Sequence, residues 1–196
     1  MKLALGTAQF GLDYGVTNHF GQVTTDEAKK ILKYAKDKGI VTLDTASGYG
    51  NSEQVLGEIG VNDYQIITKT SSLEDGVDEV IKNFHRSLDY LKVSQVDGLL
   101  IHNIHNIKDK NFGNLFSKLY ELKKEGLTKK IGFSCYTPEQ VNFLLDNFKF
   151  DLIQIPFNVF DTRLIRGGQL KALKKKNIEI HARSVFLQGL LLDFDN

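Results

Sequence analysis

The sequence contains few of the residues that crosslink or interrupt a chain: its 196 residues include one cysteine, two prolines and no tryptophan. The single cysteine, Cys135, cannot form a disulfide within the chain. A lone cysteine is typical of proteins from a reducing compartment. We therefore expect a cytoplasmic protein.

Long apolar runs and an excess of one charge are also absent. No run approaches the roughly 20 residues that span a bilayer, and the segment from Met1 to Gly15 is too polar for a signal peptide. The 25 basic and 24 acidic residues are interspersed, which argues against nucleic acid or an anionic membrane as a partner. We expect a small-molecule partner. Because 41% hydrophobic content suffices for one core and no segment is typical of a linker, we predict one domain over residues 1–196.

Short apolar runs alternate with amphipathic segments along the chain, which predicts βα units on a parallel sheet. Two helix starts are marked by capping signals, Thr24 with Glu27 and Thr137 with Gln140. The chain is therefore predicted to be an α/β protein. The predicted strands are Leu3–Ala8, Val41–Thr45, Gln65–Lys69, Val96–His102, Lys130–Ser134, Leu152–Phe157 and Ile178–Ser184.

The predicted strands end at intervals of roughly 25 to 35 residues, the spacing of a (β/α)8 TIM barrel. The alternative is an open doubly wound sheet, which usually carries G-x-G-x-x-G after its first strand. That fingerprint is missing here, so the barrel is favoured. Seven strands are visible and the chain stops about a dozen residues later, so we expect the eighth unit to be absent. The first and seventh strands would then have open edges, which a homo-oligomer could cover.

Ionisable side chains close three of the predicted strands, at the end of a barrel where catalytic groups lie. These are Asp44, Lys69 and His102, and Tyr49 follows in the turn after Asp44. Reduction of a carbonyl needs a hydride on carbon and a proton on oxygen, and a tyrosine can donate that proton. Lys69 would favour the phenolate, Asp44 would hold Lys69 charged, and His102 would donate a hydrogen bond to the carbonyl oxygen.

The motifs Leu-Asp-Thr-Ala-x-x-Tyr-Gly-Asn-Ser-Glu, Ile-Thr-Lys-Thr and Leu-Leu-Ile-His resemble the tetrad motifs of the aldo-keto reductases. The resemblance covers nearly the whole chain. It implies that Asp44, Tyr49, Lys69 and His102 form the catalytic set, with Tyr49 as general acid. It also implies a nicotinamide cofactor, usually NADPH with NADH as the alternative, bound without a Rossmann fold. The substrate would be a small-molecule aldehyde or ketone.

Later segments resemble the cofactor-binding strands of the same family. Gly-Phe-Ser-Cys-Tyr is similar to the family's fifth-strand segment, with Cys135 in place of the usual asparagine, and Ile-Gln-Ile-Pro-Phe is similar to the sixth. Ala-Arg-Ser-Val-Phe-Leu-Gln-Gly resembles bacterial members found with sugar and surface-polysaccharide enzymes, so a sugar-related carbonyl is one expectation. The residues that the resemblance assigns to the cofactor are Gly6, Thr7, Ala8, Asp44, Ser134, Cys135, Gln154, Phe157, Ser184, Phe186, Leu187 and Gly189.

Each of these residues alone also has a structural explanation. Asp44 could cap a helix, Tyr49 could be a packed loop aromatic, and a lone histidine is more often structural than catalytic. His102 and His105 have no third ligand at a suitable spacing, so we predict no metal site. The alternative to an enzyme is a catalytically inactive barrel remnant that acts as a binding or interaction module. The joint occurrence of the four residues favours the enzyme.

Overall fold

The computed structural model describes residues 3–74, 76–104 and 110–192, and within them the predicted alternation of strands and helices is confirmed. The seven strands are found where the sequence predicted them and differ from the prediction only at their ends. They are β1 (Ala4–Gly6), β2 (Thr42–Asp44), β3 (Gln65–Lys69), β4 (Val96–Ile101), β5 (Thr128–Ser134), β6 (Leu152–Pro156) and β7 (Glu179–Arg183).

Helices connect the strands, and both predicted caps form. The Thr24 hydroxyl accepts a hydrogen bond from the backbone N–H of Glu27, and Thr137 and Gln140 form a reciprocal capping box. No helix in the described part of the chain is long and apolar enough to cross a membrane. The helices are α1 (Ala8–Gly11), α2 (Thr25–Asp37), α3 (Ser52–Ile59), α4 (Val77–Leu91), α5 (Lys110–Lys124), α6 (Pro138–Asn147), α7 (Arg163–Arg166) and α8 (Gln169–Lys175).

The seven strands form one parallel sheet in the order β1-β2-β3-β4-β5-β6-β7, curled into part of a barrel. Alternate residues of a strand face opposite sides of a sheet, and two apolar clusters follow this rule. Most buried residues belong to the large cluster, which joins the sheet to the helices. Ile67, Leu100 and Leu152 form a second cluster on the other face. Lys69 and Gln154 lie two residues beyond members of this cluster, which places them on the inner face of the curl.

The two outer strands are less covered than the central ones. Among the described residues β1 pairs only with β2 and β7 only with β6, as expected for a sheet with open edges. Ala4 and Glu179, on the first and last strands, are exposed. The chain after β7 forms short 3-10 turns over Leu187–Leu192 that contact the loop between α1 and α2, where the Thr17 hydroxyl donates to the carbonyl oxygen of Gln188 at 3.3 Å. Contact between the two ends of the sheet is therefore made by loops.

Candidate active site

Asp44 and Lys69, the last residues of β2 and β3, form an ion pair. The Lys69 ammonium donates to Oδ1 of Asp44 at 2.8 Å and to the carbonyl oxygen of Thr45 at 2.7 Å. The Lys69 side chain is fully buried, and 17% of the Asp44 side chain is exposed. Burial lowers the pKa of Lys69, and the charge of Asp44 opposes that effect. Asp44 thus holds Lys69 in place, as the sequence predicted.

Tyr49 lies in the loop between β2 and α3, and glycines fix the position of that loop. Gly11 of α1 packs directly on it, since a Cβ atom added to Gly11 would lie 1.8 Å from the carbonyl oxygen of Tyr49. Gly50 packs on the carbonyl oxygen of Gly11 in return and has a φ of +54°, a conformation that favours glycine. The backbone of the loop is therefore held by direct contact with α1.

The ring of Tyr49 lies close to two of the other predicted catalytic residues, Lys69 and His102. The Lys69 ammonium lies 4.9 Å from the centroid of the Tyr49 ring. The imidazole of His102, which follows β4, packs edge-on against the same ring with centroids 5.8 Å apart. The backbone N–H of His102 donates to the Thr70 hydroxyl at 3.3 Å. The structure thus brings Asp44, Tyr49, Lys69 and His102 together.

The ionisation of Tyr49 differs from the expectation. The sequence analysis expected Lys69 to favour the phenolate, which would lower the pKa of Tyr49. In the structure the pKa of Tyr49 is raised well above its ordinary value, first by burial and then by the carboxylate of Asp44. The main reason is that burial disfavours the charged phenolate, and the negative charge of Asp44 disfavours it further. Tyr49 therefore remains a neutral phenol with its proton in place.

His102 is also neutral at ordinary pH. Burial is the larger cause, and the charge of Lys69 adds to it, so that the pKa of His102 is lowered to about 4. A neutral imidazole still carries one N–H and can donate a single hydrogen bond. The role of hydrogen-bond donor to a carbonyl oxygen stays a prediction for His102.

A buried carboxyl group lies below this cluster and was not singled out from the sequence. Glu53 of α3 is only 4% exposed, and its Oε1 accepts a hydrogen bond from the Thr68 hydroxyl at 2.6 Å. Burial raises the pKa of Glu53, and hydrogen bonds from Thr68 and Ser87 together with the charge of Lys69 oppose that rise. The signal was available, because Glu53 closes the motif that contains Asp44 and Tyr49.

Gln154 of β6 joins the ion pair from the opposite side. Its Nε2 donates to Oδ1 of Asp44 at 2.7 Å, so one carboxylate oxygen accepts from both Gln154 and Lys69. The resemblance had assigned Gln154 to the cofactor, and the pattern of the sequence gave no sign of this contact. In the described structure Gln154 therefore connects the end of β6 to the end of β2.

Ser134 and Cys135 lie at the end of β5, next to Gln154. Ser134 is 1% exposed, and the backbone N–H of Cys135 donates to the carbonyl oxygen of Gln154 at 3.0 Å. The Cys135 side chain is fully buried, and burial raises the pKa of its thiol to about 12. The thiol is thus a packed side chain rather than a thiolate nucleophile. The predicted contact of both residues with a cofactor stays a prediction.

The residues predicted at the end of β1 differ in exposure. Gly6 is exposed, and a Cβ atom added to it would meet no atom within 4 Å. Thr7 is buried, and its hydroxyl donates to the carbonyl oxygen of Asp44 at 3.1 Å. Ala8 is half-buried at the start of α1. Gly6 therefore borders open space, whereas the Thr7 side chain is occupied by contacts within the protein.

The residues predicted on β6 and beyond β7 lie on the more open side of the site. Phe157 is half-buried, and its backbone N–H donates to the carbonyl oxygen of Arg183 at 3.0 Å. Phe186 is 52% exposed. Positive φ angles recur along the segment, at Ser184, Leu187, Gln188 and Gly189. This segment contacts the loop between α1 and α2 through Thr17.

Sequence reasoning also missed Arg183, the last residue of β7. Its guanidinium carbon lies 3.9 Å from the centroid of the Tyr136 ring. A signal for it was present, since Arg183 ends a strand as Asp44 and Lys69 do. No group of three potential metal ligands occurs in the described ranges. His105, considered with His102 as a metal pair, lies outside them.

Comparison with known proteins gives a family match. The chain matches the model of the "Aldo/keto reductase family" over residues 2–196. It is 31% identical over 175 residues to a glyoxal reductase of Bacillus subtilis, which covers 86% of this chain and 61% of that protein. It is 30% identical over 132 residues to an aldo-keto reductase of a Mycobacterium species, covering 64% of this chain and 47% of the relative.

Solved structures share the fold. An aldo-keto reductase of Bombyx mori, solved in complex with NADP, superposes with a TM-score of 0.74 at 20% identity and covers 93% of this chain and 62% of its own. At that identity the likeness concerns the fold, and it supports the assignment of the curled sheet to the TIM-barrel type. The chain spans about half the length of the first curated relatives it matches.

Proposed function

This chain belongs to the aldo/keto reductase family, and from that premise we propose that it reduces the carbonyl group of an aldehyde or ketone to an alcohol, with Tyr49 as the proton donor. The observation that carries the proposal is the packing of the Tyr49 ring between the Lys69 ammonium and the His102 imidazole. These three side chains come from the ends of β2, β3 and β4. A carbonyl oxygen beside Tyr49 would be within reach of two hydrogen-bond donors, the phenol and the imidazole.

The ionisation states of the cluster suit this role. A phenol whose pKa is raised keeps its proton until a stronger base forms, and the alkoxide that develops during carbonyl reduction is such a base. Neutral His102 can donate a hydrogen bond to the same oxygen. The buried Lys69 lies close to the ring on which negative charge would develop, so it stabilises the phenolate that remains.

The reaction also needs a nicotinamide dinucleotide, which when bound would supply a hydride to the carbonyl carbon and be oxidised in the process. Residues that could hold it lie beside the cluster. Ser134 and Gln154 offer buried polar groups, Phe157 offers an aromatic face, and Gly6 borders open space. This donor set fits an amide-bearing aromatic ring.

We propose NADPH as the cofactor, because the Bombyx mori structure carries NADP. NADH is the alternative. The name of the Bacillus subtilis relative suggests glyoxal as a first substrate to test. A sugar-related aldehyde is the second class, from the resemblance of the segment after β7. A cytoplasmic location and a homo-oligomer that covers the exposed edges of β1 and β7 belong to the same proposal.

A second candidate function is binding of the nucleotide without turnover. The observation that favours it is the exposure of the β7 side, where Phe186 and the following turns lie at the surface. Ligand held mainly at one end would lose affinity and alignment. The two candidates differ in one measurable quantity, the turnover of a carbonyl substrate at saturating cofactor.

The test is a fluorescence titration with NADPH followed by turnover of glyoxal and simple aldehydes. The chain has no tryptophan, so the emission of the bound cofactor is read directly. We expect saturable binding and turnover, and Tyr49→Phe should reduce turnover by about a hundredfold or more while the Kd for NADPH stays within about twofold. Tyr90→Phe, at a partly exposed position of α4, is the matched control.

The outcomes separate the candidates. Saturable binding without turnover in the unaltered chain would support the second candidate. No saturable binding would refute both. Turnover that survives Tyr49→Phe would remove Tyr49 from the role of proton donor while leaving the carbonyl-reducing activity in place.

A further inference from the structure

Arg183 stands at the edge of the candidate site and has no acidic partner in the described part of the chain. It ends β7 and pairs in register with Pro156 of β6, which places it on the same inner face as Gln154. Among the described residues no carboxylate lies within ion-pair distance of it, although the described ion pairs involve many lysines and one other arginine. A half-buried guanidinium without a counter-ion is uncommon, because its charge loses water without gaining an opposite charge.

The hydrogen bonds of Arg183 are also incomplete. One Nη donates to the Ser184 hydroxyl and the other to the carbonyl oxygen of Cys135, both at 3.3 Å. Nε is buried and has no hydrogen-bond partner among the described residues. Two long bonds to neutral acceptors and one unpaired donor leave most of the bonding capacity of a guanidinium unused.

Arg163 shows what a satisfied arginine looks like in the same chain. Its Nε donates to Oδ1 of Asp161 at 2.8 Å and its Nη to Oδ2 of the same carboxylate at 2.7 Å. Both oxygens of one carboxylate are thus matched by two donors of one guanidinium. Arg183 has the same donors but meets no carboxylate in residues 3–74, 76–104 and 110–192, although it is less exposed than Arg163.

The position of Arg183 connects it to the catalytic cluster. Its Nη donates to the carbonyl oxygen of Cys135, whose backbone N–H donates to Gln154, the partner of Asp44. Its positive charge opposes the rise in the pKa of Tyr49 and adds to the lowering of the pKa of His102. The ring of Tyr136 lies against one face of the guanidinium, which restricts its rotation and leaves its edge as the binding direction. A group bound at Tyr49 and His102 would therefore come within range of Arg183.

We propose that Arg183 is an anion-binding residue of this site, which pairs through its guanidinium with a carboxylate or phosphate group of the bound ligand. The inference rests on the proposed function only for the identity of that ligand. The oxyanion has two sources, an acidic group on the carbonyl substrate or a phosphate of the dinucleotide. An oxyanion from either source would replace the long contacts to Ser184 and Cys135 with charge-assisted hydrogen bonds.

A binding measurement on the full chain tests the proposal without turnover. With 15N-labelled protein, inorganic phosphate should shift the Nε–H resonance of Arg183 saturably, whereas urea at the same concentration should not. Arg166→Gln, at an exposed position of α7, is the matched control and should leave the titration unchanged. If phosphate produces no shift at Arg183, and NADPH produces none either, the proposal is overturned.

The source of the anion is settled by comparing Arg183→Gln with the unaltered chain. If the substrate supplies it, kcat/KM for succinic semialdehyde falls about tenfold or more, kcat/KM for butanal changes little, and the Kd for NADPH is constant. If the nucleotide supplies it, the Kd for NADPH rises about tenfold or more and both aldehydes are affected alike. Equal behaviour of Arg183→Gln and the unaltered chain in all three measurements refutes the proposal.

A second variant guards against a loss of structure. Arg183→Lys keeps the charge and the aliphatic stem but cannot donate two parallel hydrogen bonds, so we expect an effect between those of the unaltered chain and Arg183→Gln. Thermal unfolding of both variants checks that the fold persists. If the unaltered chain binds phosphate at Arg183 but reduces no aldehyde, the proposed reductase activity is refuted and the anion site stands. If it reduces aldehydes but neither phosphate nor NADPH shifts Arg183, the anion site is refuted and the reductase activity stands.

Discussion

The ends of β2, β3 and β4 differ from the ends of β6 and β7 in how far the protein satisfies its own polar groups. On the first side Lys69 is fully buried, and its ammonium donates to Asp44 and Thr45 at 2.8 and 2.7 Å. On the second side the guanidinium of Arg183 makes two contacts of 3.3 Å, and its Nε has no partner among the residues that the structure describes. Both sides carry a cation at the end of a strand.

This difference indicates that the two sides of the site have different functions. A proton donor has to be aligned before the substrate arrives, because reorganisation during the reaction raises the barrier. The Tyr49 side is arranged in this way by contacts within the chain. A ligand-binding side gains affinity by leaving donors for the ligand to fill, and the β7 side has such donors. Single substitutions can disrupt one side of the site and leave the other intact.

The largest effect is expected from Lys69→Met, which disrupts the Tyr49 side of the site. It should reduce turnover by about a hundredfold or more, and raise the Kd for NADPH by much less, because phenolate formation at Tyr49 loses its neighbouring charge. Turnover and the NADPH titration measure the two effects. Lys30→Met, an exposed position of α2, is the control and should change neither. Equal loss of turnover and binding would mean that Lys69 is a structural lysine.

A middle-sized effect is expected in the pH dependence of stability. The folded pKa of His102 is about 4, below the ordinary value of 6.5, so the unfolded chain binds a proton first as the pH falls. The neutral imidazole therefore imposes no cost on the folded state above about pH 6.5, and the free energy of unfolding decreases as the pH falls from there towards 4. When the pH is lowered from 7 to 5, the free energy of unfolding should decrease in both proteins, and the decrease should be about 2 kcal/mol smaller in His102→Gln than in the unaltered chain.

Urea unfolding at the two pH values measures this difference. His85→Gln is the control, since His85 is exposed on α4. The same loss of stability in His102→Gln and in the unaltered chain would contradict a buried, neutral His102.

The smallest effect is expected from Phe157→Leu, on the side that awaits a ligand. Loss of an aromatic face should raise the Kd for NADPH by about three- to tenfold and leave turnover at saturating NADPH within about twofold. Phe160→Leu is the control, because Phe160 is 77% exposed and lies only three residues further along. A large fall in turnover with an unchanged Kd for NADPH would mean that Phe157 acts in the reaction and not in ligand binding, which would contradict the proposed difference between the two sides.

The arrangement of strands and the position of the tetrad could be predicted from the sequence because both depend on local patterns. Apolar runs marked all seven strands, and Asp44, Lys69 and His102 each follow such a run directly. Parallel strands bring their carboxyl ends to one edge, so residues distant in the chain were expected to meet. The capping box of Thr137 and Gln140 is a similar case, since its signal spans a single helical turn.

The features that were missed depend on distance across the sheet. The hydrogen bond from Gln154 to Asp44 joins β6 to β2 across the inside of the curl, and no local pattern encodes it. The raised pKa of Tyr49 was also missed, because it depends on how deeply the ring is buried and on its position relative to Asp44. Arg183 was visible at a strand end, but the unpaired state of its Nε among the described residues is a property of the folded structure.

The contact between Gly11 and the Tyr49 loop has a consequence for how this site can change during evolution. The loop is held backbone to backbone, with Gly11 against the carbonyl oxygen of Tyr49 and Gly50 against that of Gly11. These two contacts involve no side chain of the rim. New substrate preferences could therefore arise by exchange of rim residues, with the backbone of Tyr49 unmoved, as long as both glycines are inherited together.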